Sequence, residues 1–172
     1  EHDENAQSIL ITNSNGFGNQ VLSHINNLVK TLSKKNIINL SLQKNGLIIQ
    51  MENLSLSHKI INYIAPEHLH LQAKEKNLIM NKVNNAGAIF LGEYSSEALG
   101  DYVAGTNHIL PTSGAAKFSS GLGVIDFMKK SSLVEINKSG FDLLAKHVEN
   151  IANVEELDAH KLSVTIRQTK KN

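Results

Sequence analysis

Two short runs of this chain gather side chains that can move protons or hold a metal. The first is YIAPEHL, Tyr63–Leu69, where Glu67 and His68 stand side by side immediately after Pro66. The second is GDYVAGTNHILPT, Gly100–Thr112, which carries Asp101 and His108 in a Gly-, Thr- and Asn-rich run. Histidine titrates near neutrality, and a neighbouring carboxylate gives it a partner for general acid–base work. In a regular strand Glu67 and His68 would point to opposite faces, but in a loop after proline both can face one cleft. The plainer reading makes Glu67 a helix-end carboxylate, His68 a strand residue and Asp101 a turn residue after glycine. Further along, His160 follows Asp158 at an expected helix start. Glu155 and Glu156 precede it, and Glu156 has the i, i+4 spacing to orient the imidazole if the helix is continuous. His2 lies at the chain start, and His24, His58, His70 and His147 fall within helical or strand patterns. GxSxG, P-loop, CxxC and HExxH patterns do not occur.

The elements expected to position these groups alternate. Ser8–Thr12 reads as a strand closed by the turn formers Asn13–Gly16. Phe17, Val21, Ile25, Leu28 and Leu32 recur at helical spacing as far as about Lys34. Leu47–Met51 is a second strand, Ser55 caps a helix that must end near Pro66, and Leu69–Gln72 is a third strand. Asn77–Asn85 is a shorter helix, and Ala88–Leu91 a fourth strand. This order predicts βαβ units and an α/β fold of Rossmann-like, incomplete parallel sheet layers. Sites in such sheets gather in loops beyond the carboxyl ends of strands, where the run from Asp101 would sit. No GxGxxG follows any of the strands, so a dinucleotide fingerprint is missing. Leu122–Lys130 is expected to be helical and Leu133–Ile136 a strand. Phe141, Leu144, Val148 and Ile151 mark a clear helix, and Asp158–Gln168 a final one. The expected division is 1–115, the α/β portion with its catalytic loops, and 116–172, a connecting segment and small helical C-terminal tail that docks on a partner subunit.

Composition narrows the function classes. The chain has 172 residues, 41% of them apolar, enough for one ordinary core and too many for a disordered chain. The formal charge is +1 and Arg167 is the single arginine, which disfavours nucleic-acid binding. No apolar run approaches the roughly 20 residues that span a bilayer, and the polar start EHDENAQ does not read as a signal peptide. Cysteine is absent, which excludes thiolate metal sites and cysteine nucleophiles, while eight histidines leave a His/carboxylate metal site open. Beginning at Glu1 and not Met, the chain is expected to start partway through a longer sequence.

YIAPEHL, the segment Ala86–Lys130 and LDAHKLSVTIR (Leu157–Arg167) together resemble histidinol dehydrogenase, the zinc- and NAD-dependent enzyme of the last steps of histidine biosynthesis. The resemblance runs along essentially the whole chain and covers the C-terminal part of the family's length. It implies that Glu67 and His68 are the catalytic proton acceptors. It implies that Asp101 and His160 are zinc ligands that also bind substrate, and that Glu155, in preference to Glu156, contacts substrate. The opening Glu-His matches the family's Gln-x-x-His element, making His2 a further ligand for zinc and substrate; His68 also contacts substrate. The resemblance further implies one Zn2+ per site, L-histidinol as substrate, and a cytoplasmic homodimer in which tail residues complete the neighbouring site. The fourth ligand and most of the NAD+ site would lie outside this chain, so the 172 residues alone are expected to be inactive. Two other classes stay open. One is a non-catalytic zinc-binding or dimerisation fragment, and the other a metal-dependent hydrolase that uses Glu67 to activate water.

Overall fold

In a computed structural model, which describes residues 1–168, the chain falls into two compact units, Glu1–Phe127 and a second beginning at Met128. The last four residues of the expected 116–172 segment lie outside the described residues.

The first unit runs β1 (Ile9–Thr12), α1 (Phe17–Leu28), α2 (Lys35–Asn45), β2 (Leu47–Gln50), α3 (Ser57–Ile64), β3 (His68–Leu71), α4 (Lys76–Met80), β4 (Ala88–Leu91) and α5 (Glu97–Tyr102). β1 pairs parallel with β2, Ile9 opposite Leu47, and β3 pairs parallel with β4, His68 opposite Ala88. Parallel neighbours require a crossover, and helices supply it in both pairs. The two pairs remain separate two-stranded sheets. The core joins them: Ile61 of α3, Leu71 of β3 and Ile79 of α4 are buried, with Ile11, Leu54, Leu69 and Leu91 packed against them. Residues of 3.6-residue and two-residue periods thus meet on one apolar seam.

Several expected elements take a different form. The first helix stops at Leu28, a 3-10 turn follows at Val29–Thr31, and a separate helix, α2, occupies a stretch with no expected element. α3 starts after Leu56 without a side-chain cap; Asn53, not Ser55, caps the 3-10 turn Leu54–Leu56 that precedes it, its Oδ1 accepting the Ser55 N–H at 2.9 Å. The helix expected over Asn77–Asn85 spans only Lys76–Met80, because Asn62 of α3 takes up the backbone that follows. Its Nδ2 donates to the Lys82 carbonyl, and its Oδ1 accepts from the N–H groups of Asn84 and Asn85. Leu122–Lys130 is reduced to a 3-10 turn at Val124–Phe127. Leu133–Ile136 is not a strand, since no ladder partner is present among the described residues. Here large apolar side chains stay in solvent: Phe118 is 85% exposed and Leu133 95%.

The second unit is a helical hairpin, α6 (Lys138–Val154) and α7 (Asp158–Gln168). Asn137 caps α6 by accepting the Gly140 N–H at 2.9 Å. Buried Ala145 and Ala152 let the helices approach, and Thr165 donates to Glu149 across them at 3.2 Å. The helices are divided by Glu156 in the left-handed region at φ 58°, with the Leu157 N–H closing onto the Ala152 carbonyl at 2.8 Å. This is a Schellman-type ending with glutamate where glycine is usual. The helix is therefore broken before His160, and the i, i+4 relation from Glu156 does not hold. Among the described residues, no helix is long and apolar enough to cross a membrane.

Candidate active site

The segment that delivers Glu67 and His68 is fixed from both sides. α3 ends at buried Ala65 in the left-handed region, φ 52°, whose N–H bonds the Ile61 carbonyl at 2.8 Å. Pro66 cannot continue the helix. The carbonyls of Pro66 and Glu67 then accept the N–H groups of Gly87 and Ala88 at 2.9 and 2.8 Å. A Cβ on Gly87 would stand 2.6 Å from the Glu67 carbonyl oxygen, so only glycine admits this approach. His68 is consequently the first residue of β3, and Glu67, half-buried, immediately precedes it. The post-proline loop expected to hold both is one residue shorter than the sequence suggests.

Asp101 lies inside α5, whereas its place after Gly100 suggests a loop. Gly100 is buried against the Phe90 ring, and the helix continues past it to Tyr102. The Thr106 hydroxyl then ties the following loop back to the Gly100 carbonyl at 3.0 Å. With α5 held this close, His68 Nε2 stands 3.5 Å from Asp101 Oδ1 and 3.9 Å from Glu97 Oε1. The Phe90 ring lies beside the imidazole, centroids 6.0 Å apart. His68 Nε2 is buried without a hydrogen-bond partner, and the Asp101 side chain is only 17% exposed. Glu97, the member that sequence reasoning missed, sits one helical turn before Asp101 on the same face of α5. The signal was present in the i, i+4 spacing of SSEALGDY, with Ser96 at the helix start.

Among the described residues, His68, Glu97 and Asp101 bring one ligand atom each within 4.8 Å of one another. One imidazole nitrogen and carboxylate oxygens suit zinc, and the orphaned Nε2 marks a place where a further polar group is wanted. The other expected residues of the first unit are not in this cluster. His2 is exposed in the N-terminal coil, and His108 is exposed in the loop after α5. Glu155 and His160 are exposed in the second unit, at the end of α6 and in the first turn of α7.

Fold and cluster together define a parallel α/β protein with one imidazole and two carboxylates gathered at the start of β3 and on α5. A family model described as histidinol dehydrogenase matches residues 1–168. The chain is 47% identical over 167 residues to the histidinol dehydrogenase of Hydrogenovibrio crunogenus, covering 97% of this chain and 39% of that one. To that of Aquifex aeolicus it is 45% identical over 168 residues, covering 98% and 39%. The crystal structure of histidinol dehydrogenase from Elizabethkingia anophelis is similar at a TM-score of 0.81 and 34% identity, covering 97% of this chain and 38% of that one. This chain belongs to the histidinol dehydrogenase family. It spans about two-fifths of the length of the curated relatives it matches.

Proposed function

We propose that the chain supplies the proton-transfer centre of a histidinol dehydrogenase, which oxidises L-histidinol through L-histidinaldehyde to L-histidine with two NAD+. The observation that carries this reading is the preassembled His68–Asp101–Glu97 cluster next to Glu67 in a chain matched to the family along residues 1–168. His68 accepts the alcohol proton as a hydride leaves the carbinol carbon. The imidazole becomes a cation as it does so, and Asp101 and Glu97 lie where they would meet that charge. Glu67 then draws a proton from the water that attacks the aldehyde, and His68 moves a proton in the second oxidation. Zinc, held by Asp101 with His2 and with His160 of a neighbouring tail, would anchor the substrate's imidazole and amine. His2, His68, Asp101, Glu155 and His160 contact the substrate in this reading. Both hydrides would pass to NAD+, held at a site mostly outside these residues.

The working unit is a cytoplasmic homodimer, with residues 1–115 carrying the catalytic loops and 116–172 docking on the partner subunit. On this division the 172 residues alone are inactive. Because they span 39% of the relatives' length, the competing role is a zinc-binding or dimerisation piece without turnover. The two steps separate the roles: in an assembled enzyme, Glu67→Gln spares the alcohol step and cripples aldehyde oxidation. Equal loss of both steps would contradict the assignment.

A further inference from the structure

An asparagine side chain can be attacked by the backbone nitrogen of the residue that follows it, most readily when that residue is glycine or serine. The chain offers three such places: Asn13-Ser14, Asn15-Gly16 and Asn45-Gly46. Because the attacking atom is a backbone nitrogen, what holds its N–H decides which of them can react. At two of the three the N–H is engaged. That of Ser14 donates to Oγ1 of buried Thr12 at 3.1 Å. That of Gly46 donates to the Leu42 carbonyl at 3.0 Å and closes α2, whose last residue is Asn45. A Cβ on Gly46 would stand 2.5 Å from the same carbonyl oxygen, so the backbone there lies tight against the helix end. Asn15-Gly16 differs on every count. Both residues are exposed, a Cβ on Gly16 would meet nothing within 4 Å, and among the described residues the Gly16 N–H has no hydrogen-bond partner. With φ at 78° and no side chain, Gly16 also puts no steric barrier beside its own nitrogen.

We propose that Asn15-Gly16 is a self-modification site, at which the folded chain converts its own asparagine to aspartate and isoaspartate through a cyclic imide. The Gly16 nitrogen gives its proton to hydroxide and attacks Asn15 Cγ. A new N–Cγ bond closes the imide ring, the Cγ–Nδ2 bond breaks, and Nδ2 leaves as ammonia. Water then opens the ring. Breaking the N–Cγ bond yields aspartate at position 15. Breaking the bond from nitrogen to the backbone carbonyl carbon of residue 15 yields isoaspartate, whose main chain runs through Cγ. Both products take the formal charge from +1 to zero. Both also set a carboxylate just before the N-cap of α1, a helix with no side-chain cap and no acidic residue in its first turn. The positive end of the helix dipole favours a charge of that sign. The products part company at β2. Asn15 Oδ1 accepts a hydrogen bond from Nε2 of Gln50, the last residue of that strand. Aspartate keeps an acceptor on the same side chain, whereas isoaspartate lengthens the turn between β1 and α1 by a methylene and gives up the link.

The test incubates the 172-residue chain at mildly alkaline pH, digests samples taken over time, and measures by mass spectrometry the peptides in which water has replaced ammonia. Isoaspartate is read separately, by methylation with an isoaspartyl methyltransferase. In native buffer Asn15 should convert at least about 5-fold faster than Asn45, the factor by which one intact backbone hydrogen bond holds the second site back. In concentrated urea the Gly46 N–H loses its partner, and Asn45 should rise to the rate of Asn15. The methyl-accepting peptide from native samples should be the one containing residue 15. Equal rates at the two sites in native buffer, or Asn45 ahead, would overturn the proposal. So would a difference that persists in urea, since neighbouring side chains and not the fold would then be its cause. No zinc, histidinol or NAD+ enters the measurement, so its failure leaves the proposed chemistry standing.

Discussion

Replacing Gly100 with alanine asks whether α5 is pressed closely enough on Phe90 to set the His68–Asp101 geometry. A Cβ there would stand 2.4 Å from Phe90 Cε1 and 2.8 Å from Cζ, the nearer more than ~1 Å inside ordinary carbon–carbon contact. Two effects oppose each other. Alanine in a helix interior is favoured over glycine by about 1 kcal/mol. Forcing a methyl into filled space typically costs ~1–3 kcal/mol. The obstructing atoms belong to a ring that can tilt, which keeps the cost near the middle of that range and the net loss near ~1 kcal/mol. Either response disturbs the site, because Phe90 lies beside the His68 imidazole and α5 carries both carboxylates. A retreat of α5 by about 1 Å would take Asp101 Oδ1 from 3.5 Å to beyond salt-bridge range of His68 Nε2. Urea unfolding should show a lower midpoint at unchanged slope, and the His68 ring resonances should move. An equal or higher midpoint with unmoved His68 signals would refute the reasoning, since helix propensity would then have outweighed packing.

Further outcomes follow from the same geometry. Asn62→Ala removes three hydrogen bonds to the backbone of residues 82–85 and should destabilise the chain by about 2 kcal/mol in urea unfolding; a loss under ~0.5 kcal/mol would count against the anchoring role. Glu156→Gly relieves a left-handed backbone between α6 and α7, and should raise stability by about 1 kcal/mol without changing helix content. An unchanged thermal midpoint would mean that the turn carries no strain. In competition with a chromophoric chelator, Asp101→Asn should weaken zinc binding by about 100-fold, whereas Glu97→Gln, outside the proposed ligand set, should change it by less than about 10-fold. Equal affinities for both variants and the parent would remove Asp101 from the ligand set.

What the sequence made legible is uneven, for physical reasons. All four strands of the first unit are readable, since each is a short β-rich run bounded by Gly, Pro or Asn; the observed limits differ by one residue at half of the ends and coincide at the others. α2 escapes because Ile37, Ile38, Leu40 and Leu42 form no single helical stripe. The expected strand at Leu133–Ile136 fails because alternation describes one strand only, and a ladder needs a second. At the site, Glu67, His68 and Asp101 stand out by type and spacing. Glu97 was hidden by reading Gly100-Asp101 as a turn: what keeps the helix going is the Phe90 ring, a tertiary neighbour that no local pattern discloses. The ending at Glu156 is similarly silent, because glutamate does not announce a left-handed residue as glycine would.

In the proposed reaction His68 moves protons for histidinol oxidation, and polypeptide beyond these residues completes the hydride acceptor's site. NADH formation from L-histidinol, followed at 340 nm, should be absent with the 172-residue chain alone. It should appear when the unmatched portion of a relative is added, and vanish again with His68→Asn. Turnover by the chain alone, or undiminished turnover with His68→Asn, would contradict it.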